Sequence, residues 1–122
     1  MIRGIRGATT VLHNEEEEML KNAKELAQEI VLKNNVQPEN ISHVFLSVTN
    51  DLNATFPAKS LRELPGWSYV PVMCMSEIDV PDGLEKCIRI MMVVNTKQEQ
   101  EDIKHIFLNE AVKLRPDLVQ GE

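Results

Sequence analysis

One long amphipathic helix, flanked by segments of strand character, constrains the fold of this chain more than any other feature. Its apolar residues recur every three or four positions and form one stripe: Met19, Leu20, Ala23, Leu26, Ala27, Ile30 and Val31. We expect Asn14 to cap the start of this helix, Glu17 to complete a capping box, and the helix to end near Asn34-Asn35. The glutamates at positions 15–18 then indicate a solvated helix start rather than a metal site.

The remaining elements are strands and one short helix. Residues rich in β-branched and aliphatic side chains predict strands at 2–12, 41–48, 68–76, 87–96 and around 103–108. Pro57 can open a short helix that Pro65-Gly66 must end. This order predicts an α+β fold, a mixed β-sheet with one long and one short helix on one face. One long helix cannot cover both faces of the sheet, so we expect a neighbouring subunit to cover the other.

Length and charge limit the function classes. A chain of 122 residues favours a single domain over 1–122. The net charge of −6 and an aromatic content of only 4% argue against a nucleic-acid partner. Because neither a membrane-spanning apolar run nor a secretory signal is visible, we expect a cytoplasmic protein with no membrane partner. The cysteines, Cys74 and Cys87, fit no zinc spacing, so they do not indicate a metal site.

Two arginines interrupt strands that are otherwise suited to a core. Arg89 lies in the run CIRIMMVV, and Arg6 lies in IRGIRGATT. Side chains alternate along a strand, so Arg89 shares a face with Met91 and Arg6 shares one with Ala8. We expect both guanidinium groups to be buried, which is costly unless an anion meets them. That anion could be an internal carboxylate or a bound ligand.

The number of such cations favours a ligand. Five of them come from distant segments, whereas the acidic residues concentrate at 15–18, 99–102 and the C-terminus; the cations are Arg6, Lys59, Arg62, Arg89 and Arg115. Glu77 is the acid that falls near the core strands. Since the planar guanidinium matches carboxylates, the pattern predicts a small polyanionic carboxylate ligand, with a hydroxyl that Glu77 could accept from.

Several separate motifs resemble one enzyme family. They are IRGIRGATT at 2–10, FPAKSLREL at 56–64 followed by GW, YVPVMCMSEIDV at 69–80, CIRIMMVV at 87–94 and LRPDL at 114–118. In this order and register they resemble the monofunctional, Bacillus-type chorismate mutases. The resemblance extends from Met1 to about Leu118, and the combination is far more specific than any one motif.

The resemblance implies both an activity and an assembly. The family converts chorismate to prephenate, a Claisen-type rearrangement on the branch toward phenylalanine and tyrosine. It forms homotrimers with a pseudo-barrel centre and active sites in clefts between subunits. A pericyclic step needs an oriented substrate and fixed charges, and it needs no nucleophile, proton relay, metal or cofactor.

The resemblance also implies site residues. Arg6 would bind a substrate carboxylate, and Arg89 would reach the breaking ether oxygen and a carboxylate. Glu77 would bind the ring hydroxyl together with Cys74, through the Cys74 backbone or thiol. The adjacent subunit would contribute a wall and an electrostatic rim, formed by Phe56, Ala58, Lys59 and Arg62. The pocket would be lined or closed by Val72, Met73, Leu114 and Arg115.

Two positions depart from the family pattern. Phe107 stands where the family often has tyrosine, so a phenolic hydrogen bond to a substrate carboxylate is lost. Met73 stands where a smaller, polar residue is common. We expect both to affect affinity rather than to abolish activity. The tail at 117–122 could close over the ligand or remain frayed.

Two other functions are compatible with the same residues. One is a non-catalytic trimeric module that senses a small carboxylate and uses the arginines only for binding. The other is a structural oligomer in which the arginines pair internally. Both treat the matching motifs as coincidence, so we prefer the mutase.

Overall fold

The computed structural model describes residues 1–114 of the chain, so the predictions for Arg115 and the tail at 117–122 lie outside the described residues. The elements in chain order are β1 Ile2–Thr10, α1 Glu16–Lys33, β2 Ile41–Val48, α2 Ala58–Leu61, β3 Val72–Ser76, β4 Cys87–Asn95 and β5 Ile106–Phe107. Short 3-10 turns lie at Pro38–Asn40, Gln100–Asp102 and Asn109–Lys113. The predicted α+β class is confirmed.

The strands form one mixed sheet in the order β3-β2-β4-β1-β5. Strand β4 runs antiparallel to both β1 and β2, whereas the outer pairs β2–β3 and β1–β5 are parallel. The register places Ala8 and Ser47 opposite Arg89 on its two neighbouring strands. Arg89 therefore lies on the middle strand of the sheet.

One face of the sheet packs against both helices, as predicted. Alternate residues of β4 are buried on this side, namely Ile88, Ile90, Met92 and Val94, and they share one core with Met19, Leu26 and Ile30 of α1. Leu61 of α2 joins the same core. Helix α1 lies close to β1 at Gly7, where an added Cβ would be 2.7 Å from the Ile30 Cδ1 atom. The long helix thus rests directly on the backbone of the strand that carries Arg6.

The opposite face, which we call the open face, carries large apolar side chains that remain exposed. Their exposed fractions are 39% for Phe45, 61% for Met73, 42% for Met75 and 37% for Met91. A surface of this kind in a small domain is typical of an interaction site. The expectation that the helices leave one sheet face uncovered is therefore met.

The start of α1 differs from the prediction. The helix begins at Glu16, and Glu15 occupies the N-cap position without a side-chain hydrogen bond. Asn14 instead accepts the backbone N–H groups of Asn53 and Ala54, at 3.0 and 3.1 Å. A distant loop therefore uses the side chain that the sequence suggested as a cap.

The predicted capping box at Glu17 is also wrong. The carboxylate that binds back to the residues before the helix is that of Glu18. It accepts the backbone N–H groups of Leu12 at 2.6 Å and His13 at 3.0 Å. These bonds, the one from Leu12 above all, lower the pKa of Glu18. The carboxylate thereby stabilises the connection between β1 and α1.

The helix end agrees with the prediction, and it fastens a later segment. Asn34 follows the last helical residue and is buried. Its amide donates to the carbonyls of Ile30 and Lys104, at 3.0 and 2.8 Å, and its Oδ1 accepts the Lys104 N–H at 2.8 Å. The segment that leads into β5 is therefore anchored to the end of α1.

The third strand is shorter than predicted, because it begins at Val72 rather than at 68. The preceding residues turn around the buried Trp67, whose carbonyl accepts the Val70 N–H at 3.0 Å.

Within residues 1–114, no helix is both apolar enough and long enough to cross a bilayer.

Candidate active site

A cleft of about 380 Å³ opens on the open face of the sheet. We call it the arginine cleft, because Arg6 and Arg89 line it. Residues from β1, β2, β4 and β5 and from the end of β3 form the rest of its wall: Gly7, Phe45, Ser47, Met75, Glu77, Ile90, Met91 and Phe107. An adjoining cavity of about 620 Å³ shares Glu77 and Arg89 with it and extends beneath the loop at 77–86.

Glu77 is held in the cleft by the neighbouring strand β2 and by two side chains. Its backbone N–H donates to the Val48 carbonyl at 2.9 Å, which continues the β2–β3 pairing by one residue. Its Oε2 atom accepts the Ser47 hydroxyl at 2.7 Å and lies 3.3 Å from the Arg89 Nη1 atom. Within residues 1–114 these contacts all involve Oε2, so Oε1 is the oxygen available to a ligand hydroxyl.

The two arginines are not buried as the sequence analysis expected. The Arg89 side chain is 45% exposed, and Arg6 is half-buried. Both guanidinium groups lie on the open face, where water or a ligand can reach them. The strands therefore avoid the free-energy cost of burying an unpaired charge. The expected burial is therefore wrong, although the predicted alternation of faces is right.

The pairing of the arginines is incomplete. Arg89 has an internal carboxylate partner in Glu77, whereas among residues 1–114 Arg6 forms no ion pair. Arg6 lies opposite Met91, two residues from Arg89 on the adjacent strand. Two long side chains so placed can contact one small ligand, and together they carry one more positive charge than Glu77 neutralises.

Cys74 lies close to Glu77 in the chain but points to the other side of the sheet. It packs against the core beneath the helices, as does Val72. The β3 side chains that share a face with Glu77 are those of Met73 and Met75. The Cys74 thiol therefore does not border the arginine cleft, and a role for the Cys74 backbone stays a prediction.

The segment at 56–62 does not reach the arginine cleft of its own chain. Ala58 is buried in the core and Phe56 is 72% exposed, while Arg62 is exposed beside the short helix. Lys59 lies 2.7 Å from the Glu16 carboxylate, and this hydrogen bond lowers the pKa of Glu16. The four predicted rim residues could meet a ligand only in another copy of the chain, and Ala58 only through its backbone.

Two further predicted residues do border the site. Phe107 lines the arginine cleft, and Leu114 borders the adjoining cavity, where it packs near Ala8 and Cys87. Arg115 lies outside the described residues. Of the predicted residues in the described part of the chain, one chain thus brings together Arg6, Glu77, Arg89 and Phe107, with Leu114 beside them.

Several residues around the site are not predictable from the motifs in the sequence. Ser47 is the most informative, because it orients Glu77, and strand alternation from Phe45 would have placed it on the open face. The others are the acidic residues that border the adjoining cavity, which are Asp51, Asp79, Asp82 and Glu85. Their positions depend on how the loop folds, which no spacing in the sequence indicates.

A hydrogen-bond network fixes the start of the strand that carries Arg89. The Asp51 carboxylate accepts the Lys86 N–H at 3.0 Å, and the Thr49 hydroxyl accepts the Cys87 N–H at 3.0 Å. Burial raises the pKa of the Cys87 thiol to about 11, so it remains protonated at neutral pH. Cys87 thus acts as a packed apolar residue rather than a nucleophile.

The described residues hold no group of three His, Cys, Asp or Glu side chains placed to bind a metal ion. The site instead combines two guanidinium groups and a carboxylate on the open face of a mixed sheet. The fold and the site together define an α+β protein with a charged cleft whose chemistry suits a small carboxylate ligand.

Comparison with known proteins identifies the family. A family model described as chorismate mutase type I matches residues 2–118. Chorismate mutase AroH of Bacillus subtilis (strain 168) is 55% identical over 118 residues, which cover 97% of this chain and 93% of that protein. Chorismate mutase AroH of Thermus thermophilus is 39% identical over 123 aligned positions, which cover all of both chains. The chain therefore belongs to the chorismate mutase type I family, a family of isomerases, and the resemblance noted in the sequence is confirmed.

A solved structure supports the same assignment. The chorismate mutase from Clostridium thermocellum Cth-682 superposes with a TM-score of 0.86 at 47% sequence identity. The match covers 88% of this chain and 96% of that chain. The overall fold is therefore that of a chorismate mutase of known structure.

Proposed function

We propose that this chain converts chorismate to prephenate, the step that commits the pathway toward phenylalanine and tyrosine. Family membership supports the activity, and the arginine cleft supports the chemistry. The observation that carries the proposal is the geometry of Glu77, which is held by Ser47 at 2.7 Å and by Arg89 at 3.3 Å. A fixed anion and a fixed cation thus lie beside each other on a surface that a ligand can reach.

The reaction is a rearrangement within one molecule. As the ether C–O bond breaks, a new C–C bond forms, and no proton, electron or group enters or leaves. The site must hold the substrate with the reacting carbons in contact, which removes the entropic part of the barrier. It must also stabilise the partial charges that develop, negative on the ether oxygen and positive on the ring.

Arg89 would meet the negative charge. Its guanidinium carries five N–H donors, and the contact with Glu77 leaves others free to bind the ether oxygen and a substrate carboxylate. Because the β4 register and Glu77 fix its position, the cation needs no reorganisation when the bond lengthens. Interactions that strengthen in the transition state raise kcat rather than only lowering KM.

Glu77 and Arg6 would hold the two ends of the substrate. The free Oε1 atom of Glu77 would accept the ring hydroxyl, and its charge would favour the cationic ring. Arg6 would bind the second carboxylate from the neighbouring strand. The Cys74 backbone would also bind the ring hydroxyl, while Met73, Phe107, Leu114 and Arg115 would line or close the pocket. The predicted Val72 side chain packs in the core, so Val72 could contribute only through its backbone.

We also propose a homotrimer with a pseudo-barrel centre and active sites between subunits. Two observations support it: the open face exposes large apolar side chains, and residues 56–62 lie away from the cleft of their own chain. A neighbouring copy would cover the open face and supply Phe56, Ala58, Lys59 and Arg62 to the site. We expect the 122 residues to form one such domain, located in the cytoplasm, with no nucleic-acid or membrane partner.

Subunit mixing tests the shared site. Arg89→Ala and Arg62→Ala place their defects on opposite sides of the proposed interface. Unfolding and refolding the two inactive variants together should restore activity in mixed trimers, since some sites then contain neither substitution. Refolding each variant alone is the control. No recovery in trimers shown to be mixed would argue against sites between subunits.

The activity itself is tested by following chorismate absorbance with purified protein in buffer that contains only a chelator. We expect enzyme-dependent loss of chorismate and stoichiometric appearance of prephenate by NMR. Saturable binding of chorismate without its loss would instead identify a carboxylate-sensing module. Neither binding nor turnover would leave only a structural role for the arginines.

A further inference from the structure

Arg6 lies within the β1–β4 pairing, but its backbone N–H is accepted by a side chain rather than by a strand carbonyl. Its N–H donates to the Nδ1 atom of His105 at 2.9 Å. Strand β5 pairs with β1 only at Gly7–Ile106 and Ala8–Phe107, so His105 precedes the first paired residue. The imidazole therefore extends the β1–β5 pairing by one hydrogen bond, at the residue that carries the cleft guanidinium.

Hydrogen bonds hold the segment around His105 on both sides. The bond from Arg6 to His105 lies between them. Before it, Asn34 binds both backbone groups of Lys104. After it, the Leu108 N–H donates to the Ala8 carbonyl at 2.9 Å. Because only two residues of β5 pair with β1, the His105 contact is one of a small number of hydrogen bonds that align this short strand.

His105 also borders a cavity distinct from the arginine cleft. This cavity has a volume of about 410 Å³ and lies between α1 and the segment at 104–108. Its charged walls come from Glu29 and Lys33 of α1 and from Lys104. Phe107 lines both this cavity and the arginine cleft, so it forms part of the wall between them. A displacement of His105 would therefore change the positions of both Arg6 and Phe107.

The hydrogen bond fixes the chemical state of the imidazole. Only a ring nitrogen without a proton can accept an amide N–H. In this contact Nδ1 is therefore the unprotonated nitrogen, and the ring hydrogen is on Nε2. A protonated imidazole has two donors and no acceptor, and it would face the Arg6 amide with a second N–H. The contact therefore exists only while His105 is uncharged.

We propose that His105 is a positioning residue for the carboxylate-binding end of the active site. The neutral imidazole fixes the backbone of Arg6 and the adjacent Phe107 wall, so that the Arg6 guanidinium meets the substrate at the required place. This inference rests on the proposed function, because it assigns Arg6 to a substrate carboxylate. It goes beyond that function by assigning a positioning role to a histidine that does not line the arginine cleft.

Three substitutions separate positioning from general stability. His105→Asn places its Oδ1 atom at the same number of bonds from the backbone as Nδ1, so it can accept the Arg6 N–H. His105→Gln places its oxygen one bond further, and His105→Leu removes the acceptor. His13→Leu is the matched control, because His13 is exposed and pairs only with Glu18 in the described part of the chain.

We expect His105→Leu to raise KM for chorismate about 5- to 20-fold with a smaller change in kcat, the scale of one lost hydrogen bond and a displaced charged contact. His105→Gln should resemble the leucine variant, whereas His105→Asn should stay close to the wild type. Thermal unfolding identifies any variant that does not fold. If His105→Leu does not fold, His105→Gln is compared with His105→Asn and the wild type in its place.

Two outcomes distinguish this inference from the proposed function. If the wild type converts chorismate and His105→Gln or His105→Leu matches it in KM, the positioning role is overturned and the mutase activity stands. If the wild type does not convert chorismate, the proposed function fails. The affinity of a dicarboxylate transition-state mimic, measured by calorimetry, then decides the inference: loss in the leucine variant and retention in the asparagine variant support it, and equal affinity overturns it.

Discussion

Replacement of Arg89 is the perturbation that most clearly separates charge from geometry. Arg89→Lys keeps the positive charge but has one compact ammonium in place of a planar fork. In the structure one terminal nitrogen of Arg89 already lies 3.3 Å from Glu77. A single ammonium that approaches Glu77 cannot also hold the ether oxygen in the same geometry, so the lysine variant loses the contact that matters in the transition state.

The expected loss of kcat can be taken from enzymes in which a preorganised hydrogen-bond donor has been removed. Removing one preorganised donor to a developing oxyanion lowers kcat about 10²- to 10³-fold, or about 3–4 kcal/mol in the activation free energy. We expect Arg89→Lys to fall in this range and Arg89→Ala to lose at least as much. Because the Arg89 side chain is 45% exposed, its ion pair contributes at most about 1 kcal/mol to folding, and both variants should remain folded.

The assay is chorismate absorbance at saturating substrate, with circular dichroism and sedimentation to verify folding and assembly. Arg3→Ala is the matched control, since Arg3 has the opposite strand parity and binds Glu99 and the Gln98 carbonyl. It should change kcat by no more than about twofold, as surface substitutions usually do. A folded Arg89→Ala variant that keeps a near-wild-type kcat would refute the reasoning.

Three further predictions test other parts of the account. Glu77→Gln keeps a hydrogen-bonding carbonyl but removes the charge, so kcat should fall by about tenfold or more, and unchanged turnover would leave the electrostatic role of Glu77 unsupported. Phe107→Tyr adds a phenol at the cleft wall and should lower KM for chorismate by up to about tenfold, the scale of a hydrogen bond to a carboxylate; a higher KM would contradict this. Gly7→Ala places a Cβ 2.7 Å from Ile30 and 2.8 Å from Ile90, so the free energy of unfolding in urea should fall by about 1–3 kcal/mol, and an unchanged value would show that α1 can move away at little cost.

Local patterns in the sequence predicted the elements whose residues are determined by the core. The spacing of Met19 through Ile30 located the buried stripe of α1, and strand alternation placed Ile88 and Arg89 on opposite faces of β4. The second strand, Ile41–Val48, matches the prediction at both ends. Burial against one partner surface is a strong, periodic signal, and these elements carry it.

Features that depend on distant partners were harder to predict. Asn14 had the right chemistry for a helix cap, but the loop at 53–54 competes for the same side chain. Ser47 orients Glu77 across 30 residues of sequence, and His105 reaches Arg6 across 99. The expected burial of the arginines failed because alternation says which residues share a face and not which face the helices cover.

The most direct test of the central claim is the dissociation constant of a dicarboxylate ether that mimics the transition state, measured by calorimetry for the wild type and for Arg89→Ala. We expect Arg89 to bind the transition state more strongly than the substrate. The mimic should therefore bind the wild type at least about 10²-fold more tightly than a dicarboxylate analogue of the ground state does, and most of that advantage should disappear with Arg89. Equal preference for the mimic in both proteins would contradict the account.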